Sequence, residues 1–265
     1  MYSVNQLGGF SVGRSGSFAL TNSVSFDGSA ECMTRGFQAA GDRTLWTFFT
    51  WFKRLATGSH MLFSLDAATN ATDRFSIMFD TSHRIRMVSH TTEWLLTTAT
   101  YSSTTTWHSI VVAFDASQGT DSNKLRLYVD NVEISAWDND NRSSLGTGNR
   151  GINTEDTASG ADGDLLHRIG SGWNVSANIL SEPANIRLAQ TCFVDDAQLA
   201  NTDFLGSGNA VKDISGIARG TTGSLLMYDD NGASGANLGL DEGSGTNDWG
   251  IVAMDASNQS TDVPV

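Results

Sequence analysis

Lysine is scarce in this 265-residue chain: Lys53, Lys124 and Lys212 are its only three, against 23 aspartates. Glutamate is also thin, with six residues. Helical proteins lean on Glu, Lys, Leu and Ala, so a helix-rich fold is excluded by composition. With 16 basic residues against 29 acidic ones, the net charge is -13. A general nucleic-acid binder needs clustered Lys and Arg to meet phosphates, and that class drops out too. No apolar run approaches the ~18 residues of a membrane span. The opening residues carry no basic segment followed by an apolar stretch, so classical secretion is not expected. Cysteine is limited to Cys32 and Cys192, which make no disulfide framework; two reduced thiols are expected. Proline occurs only at Pro183 and Pro264, and no heptad, solenoid or triple-helical repeat is present.

What the chain does have is a succession of short strand signals separated by Gly, Asp and Asn turns. Residues 1–22 are polar and glycine-rich and read as an N-terminal arm, with 23–265 as one domain. Leu45–Lys53 reads LWTFFTWFK, aromatic on both faces, which predicts a central strand covered on both sides. Trp107–Asp115 reads as a core strand. Leu125, Leu127 and Val129 alternate with Arg126 and Tyr128, and Asp130-Asn131 then supplies a two-residue link tolerant of left-handed backbone, which predicts a type I′ hairpin. Further strands are expected at 61–65, 74–79, 85–89, 93–97, 165–169, 186–194, 224–228 and 237–240, with one or two helical turns at 196–204. Residues 138–164 read as a long polar insert. About a dozen short strands and almost no helix predict an all-β fold, two antiparallel sheets packed as a sandwich.

The chemistry-bearing residues are sparse. Glycoside hydrolysis needs two carboxylates facing each other roughly 5 to 9.5 Å apart. None of Glu31, Glu93, Glu133, Glu155, Glu182 or Glu242 has a second acid at i+2 or i+4 within a strong strand. No nucleophile elbow or phosphate-binding glycine loop occurs. His60, His83, His90, His108 and His167 pair with no Cys or His at ligand spacing. An enzyme is therefore not expected. Calcium is the cofactor to weigh, because turn aspartates supply hard oxygen ligands. Asp138, Asp140, Asp162 and Asp164 form one candidate group and Asp195 with Asp196 a second, but neither matches a known loop pattern, and no metal ligands are assigned. Sugar binding needs an aromatic platform. Trp94, Trp137 and Trp173 lie near turns and the insert, which makes them the platform candidates over Trp46, Trp51 and Trp107.

Several stretches carry a family resemblance. Ser23-Val-Ser-Phe-Asp-Gly28, followed by Arg43–Arg54, resembles the opening of a concanavalin A-like lectin/glucanase jelly roll of the laminin-G-like type. Trp107–Asp115 with Leu125–Val132 is similar to that superfamily's central strand and hairpin. Leu166–Gly170, Cys192–Leu199, Thr202–Phe204, Gly245–Trp249 and Thr261–Pro264 resemble the subgroup found in virion proteins of tailed bacteriophages. Asn131 stands where the hairpin usually has glycine, and Gln190 where the subgroup often has glutamate. The glucanases' catalytic acid pattern is missing, and the lectins' calcium and sugar sites do not map onto residues here. The resemblance implies a jelly-roll sandwich acting as a non-enzymatic virion structural protein, in first place a capsid decoration protein docked on the head. Its partners would be the major capsid protein or other virion proteins, its state homo-oligomeric or lattice-arrayed, and its location the virion after assembly in the host cytoplasm. The arm and the insert would supply contacts with neighbours. The alternative is a carbohydrate-binding adhesion module of the tail or fibre.

Overall fold

The computed structural model of this chain describes residues 18–36, 41–67, 74–89, 92–146, 165–174, 179–229, 235, 237–242 and 247–265. β1 (Ser23–Asp27) and β2 (Cys32–Gly36) flank a turn at Gly28. β3 (Leu45–Arg54), β4 (His60–Ala67), β5 (Arg74–Phe79), β6 (Arg84–Ser89) and β7 (Thr92–Thr100) follow at short intervals. β8 (His108–Asp115) leads through the single helical turn α1 (Asp121–Lys124) into β9 (Leu125–Val129), β10 (Val132–Glu133) and β11 (Trp137–Asp140). Then come β12 (Leu165–Ile169), the ribbon of β13 (Gly172–Asn174) and β14 (Ile179–Ser181), and the long β15 (Asn185–Asp195). The turn α2 (Asn201–Phe204) precedes a ribbon of β16 (Leu205–Gly206) and β17 (Ala210–Val211). β18 (Ser224–Leu226), β19 (Gly250–Val252) and β20 (Gln259–Ser260) close the chain.

These strands build two large antiparallel sheets. The first runs β10-β9-β8-β3-β15-β1-β20, with β18 also paired to β15, and the second runs β11-β7-β6-β5-β4-β12-β2-β19. The fold is the all-β two-sheet sandwich that the strand pattern predicts, arranged as the jelly roll that the family resemblance implies. Between the sheets Trp46, Phe48 and Phe52 of β3 meet Phe63, Phe75 and Phe79 of β4 and β5 in one apolar core. The other face of β3 is apolar as well. Phe49 and Trp51 pack in a second cluster with Phe204, Leu205 and Ile214, so the segment 197–217 covers the first sheet from outside. Burying each such side chain stabilises the fold by about 1.5–3 kcal/mol, which explains why β3 is aromatic on both faces.

The hairpin between β9 and β10 has Asp130 at φ 51° and Asn131 at φ 66°, the double left-handed turn that the sequence predicts. Cys32 and Cys192 are free thiols, both buried. Three expectations need correction. The polar insert does not begin at 138: Trp137–Asp140 pairs with β7 as an edge strand, Arg142–Ser144 forms a 3-10 turn, and Leu145 is buried. Polar side chains suit an edge strand that faces water, and Trp137 and Leu145 anchor it from either end. The rest of the insert, 147–164, lies outside the described residues. Asn237–Leu240 is a turn rather than a strand, closed by backbone bonds from Leu238 to Gly235 and from Leu240 to Asn237. Strands β2 and β19 were unanticipated; their apolar residues are too few for a readable alternation. Of the arm, residues 1–17 lie outside the described residues, while Phe18 and Leu20 pack on the second cluster.

Candidate functional site

The two outer faces of the sandwich are chemically different. The first sheet's is covered by the apolar layer just described. The second sheet's is polar over β6, β7 and β11. Alternation on β6 sends Ile85 and Met87 into the core and leaves Arg84 and Arg86 outside. Cross-strand register sets Arg86 opposite Leu96 on β7 and Met78 on β5, and Leu96 opposite Asn139 on β11. Bulges in the β6–β7 and β7–β11 pairings bring Glu93 and Asp138 to the same face.

Two groups of hydrogen bonds result. Arg86 donates from Nε to Glu93 Oε2 at 2.5 Å, and Asn139 donates from Nδ2 to Glu93 Oε1 at 2.8 Å. Glu93 thus holds both neighbours in place, while the two terminal nitrogens of Arg86 carry no hydrogen bond among the described residues. The Arg86 side chain is 38% exposed and that of Glu93 21%. Beside them Arg84 bonds Asp80 through Nε and Nη2 and Asp138 through Nη1 at 2.5 Å, and Thr98 donates to the other Asp138 oxygen. Burial would raise the Asp80 carboxyl, but the Arg84 bonds override it and hold Asp80 below its ordinary range. The patch therefore presents a guanidinium edge, a carboxylate and an amide on one rigid sheet. Those are the group types that bracket sugar hydroxyls.

The three predicted platform tryptophans do not gather there. Trp94 is 1% exposed and stacks on Phe114 at 5.7 Å inside the core. It is a packing residue, because the bulge in the β6–β7 pairing turns it inward. Trp137 packs partly against the same core, and the Arg142 guanidinium lies over its ring at 5.1 Å, so little of the ring is left as a platform. Trp173 stands on β13 opposite Leu180, and its side chain lies outside the described residues. Of the patch, sequence alone points to Glu93, an acid with no second acid at i+2 or i+4, and to Asp138, one of the turn aspartates. The signal that could have found the site is the run Arg84-Ile-Arg-Met87, two cations on the polar face of an alternating strand.

Three of the aspartates weighed for calcium, Asp138, Asp140 and Asp195, have protein partners. Asp138 belongs to Arg84, and Asp140 takes Arg142 through both oxygens, at 2.9 and 2.5 Å. The Arg142 bonds hold Asp140 low against the opposing effect of burial. Asp162 and Asp164 lie outside the described residues. Asp195 is buried and accepts the backbone N–H groups of Asp42 and Thr222. Asp196 is raised, first by burial and then by the charges of Asp195 and Asp42. Among the described residues no three His, Cys, Asp or Glu are placed to hold a metal ion. Two of the glutamates likewise have structural partners: Glu31 accepts from Asp27 N–H and Asn258, and Glu133 from Arg126. His108 bonds Asp130 at 2.6 Å at the hairpin, and His167 is buried against Arg35, Phe63 and Trp249. His90 lies outside the described residues.

No protein-family model matches the sequence, and no curated protein does. Solved structures match the fold. A putative carbohydrate binding protein from Bacteroides ovatus aligns with a TM-score of 0.55 at 12% identity, over 90% of this chain and 61% of that one. The native heptameric SAP-like pentraxin from Limulus polyphemus aligns with a TM-score of 0.52 at 12% identity, over 79% of this chain and 93% of that one. The fold is thus the two-sheet, concanavalin A-like jelly-roll sandwich. Fold does not by itself assign a ligand.

Proposed function

We propose that this chain is a non-catalytic carbohydrate-binding module that holds its glycan on the outer face of the second sheet. The observation that carries this reading is the Arg86–Glu93–Asn139 group. A guanidinium is oriented through Nε by a carboxylate, its terminal nitrogens unbonded among the described residues, and carboxylate and amide stand beside it. Vicinal sugar hydroxyls, which both donate and accept, match such a bracket, and a rigid sheet keeps the ordering cost of binding low. The fold likeness to a putative carbohydrate binding protein supports it. A glycan array probed with the chain and with its Arg86→Ala variant tests it. Selective binding that is lost in the variant is expected; an unselective or flat array, or one unchanged in the variant, overturns the reading.

A virion location is the second reading. What favours it is the ordered sequence resemblance running from Ser23 to Pro264. In this reading the domain decorates a phage head, with the major capsid protein and other copies of itself as partners. One edge would dock while the β6–β7–β11 face stays open to glycans. Mass spectrometry of purified particles, with an electron-microscopy map of the head, tests this placement. Absence of the chain from the particle ends it.

A further inference from the structure

The donors and acceptors of the Arg86–Glu93–Asn139 group are unequal in number. Arg86 only donates, and its Nε is already spent on Glu93 Oε2, which leaves the edge formed by its two terminal nitrogens. Ionised Glu93 only accepts. Its Oε2 takes Arg86 and its Oε1 takes Asn139 Nδ2, and each oxygen keeps a second lone pair. Asn139 turns its Nδ2 to Glu93, so its Oδ1 is a further acceptor. One donor edge thus stands beside three acceptor oxygens, and a ligand that fits both must donate as well as accept. A hydroxyl does both. A carboxylate or sulfate group only accepts: it would satisfy the Arg86 edge and set its own oxygens against those of Glu93 and Asn139.

Charge points the same way. Arg84 and Arg86 stand among three carboxylates, Asp80, Glu93 and Asp138, which leaves the patch one net negative charge. Arg84 has no edge to offer an anion, because its Nε and Nη2 go to Asp80 and its Nη1 to Asp138. The net charge of -13 on the whole chain adds a longer-range repulsion. Nothing apolar nearby offsets such a mismatch. Met78 and Leu96, the cross-strand neighbours of Arg86, are buried, and the Trp137 ring lies beneath Arg142.

We propose that this face selects uncharged glycans with vicinal hydroxyls and discriminates against uronic, sialylated and sulfated ones, an inference that rests on the carbohydrate reading given above. One hydroxyl accepts from a terminal nitrogen of Arg86 and donates to Glu93. Its neighbour accepts from the other nitrogen and donates to Asn139 Oδ1. The selectivity is electrostatic in part, so salt weakens it.

A glycan array tests this with the full chain and with Arg86→Ala. It sets neutral galactose, glucose and mannose oligosaccharides beside their uronic, sialylated and sulfated counterparts. The strongest Arg86-dependent spots are expected to be uncharged. Titrated in solution, the best of them should bind at least tenfold more tightly than its acidic counterparts. That ratio should fall between about 0.1 M and 1 M salt, where the screening length drops from roughly 10 Å to 3 Å. It should also fall at least twofold in Asp138→Asn, which removes one acid beside the bracket; if that variant does not fold, the salt series on the wild-type chain decides. Acidic glycans that bind as tightly as their neutral counterparts or more so, with binding lost in Arg86→Ala, overturn the selectivity and leave the carbohydrate reading standing. A flat array, or binding indifferent to Arg86→Ala, overturns both.

Discussion

Arg187 and Lys53 face each other directly across the β15–β3 ladder, and one carboxylate from the end of the chain, Asp262, takes both. A sequence of 265 residues gives no hint that residue 262 completes a row set by residues 25, 53, 107 and 187. Removing that carboxylate leaves two half-buried cations side by side. Asp262→Asn is expected to destabilise the fold by about 1–2 kcal/mol, the range for charged hydrogen bonds discounted for an acid that is 37% exposed.

The same residue gives a pH dependence with a definite sign. Burial would raise the Asp262 carboxyl, but hydrogen bonds from Lys53 and Trp107 and the charges of Lys53 and Arg187 outweigh it and hold it below 3.8. A group lowered in the folded state adds stability above its unfolded value and loses it as pH falls through the folded one. The stability gap between the wild-type chain and Asp262→Asn should be constant from pH 6 to 8, by analogy with carboxylates near pKa ~4, and shrink below that value. Urea titrations across this range check it. A gap that widens with acid contradicts the assignment.

Gly170 and Gly208 make a matched pair for backbone strain. Both have positive φ, 85° and 70°. A Cβ on Gly170 would lie 2.6 Å from the buried Phe26 ring, whereas one on Gly208 meets nothing within 4 Å. Gly170→Ala is expected to cost about 2–5 kcal/mol, left-handed strain plus overpacking, and Gly208→Ala about 1–2 kcal/mol. Equal losses in thermal or urea unfolding would show that the ring moves aside freely.

Trp94→Ala separates packing from binding. Its ring fills the core between Phe75 and Phe114, so truncation is expected to cost about 3–5 kcal/mol while leaving glycan affinity within twofold at a temperature where the variant is folded. Selective loss of binding in a variant of wild-type stability would restore Trp94 as a platform.

The cysteines supply a control on the core itself. Burial pushes the Cys192 thiol up to about 12, and its side chain lies in the layer outside β3. It is expected to resist iodoacetamide at neutral pH until the chain unfolds, as mass spectrometry of labelled peptides would show. Rapid labelling in native buffer would mean that the 197–217 layer opens.

The fold was largely legible because its signals are local and strong. LWTFFTWFK announces a strand covered on both sides, and Asp130-Asn131 announces its turn, since both depend on neighbours in sequence. Strands β2 and β19 were not legible; they exist because their partners supply a ladder, not because of their own alternation. The site was less legible for a related reason. Glu93 meets Arg86 and Asn139 only because a bulge in the β6–β7 pairing brings it to the face on which register sets the other two. Trp94 misled because a single residue near a turn does not reveal which way a bulge rotates it. Trp94 went inward, and Trp107, set aside as core, lies half-buried beside Lys53 and Asp262.

The most direct measurement is a calorimetric titration of the strongest array glycan into the wild-type chain and into Arg86→Ala, Asn139→Ala and Lys53→Ala. Binding should weaken at least tenfold in the first two, the ~1.4 kcal/mol expected for lost hydrogen bonds to a charged group, and stay unchanged in Lys53→Ala on the opposite sheet. Wild-type affinity in Arg86→Ala and Asn139→Ala, each folded, would contradict a glycan site on the β6–β7–β11 face.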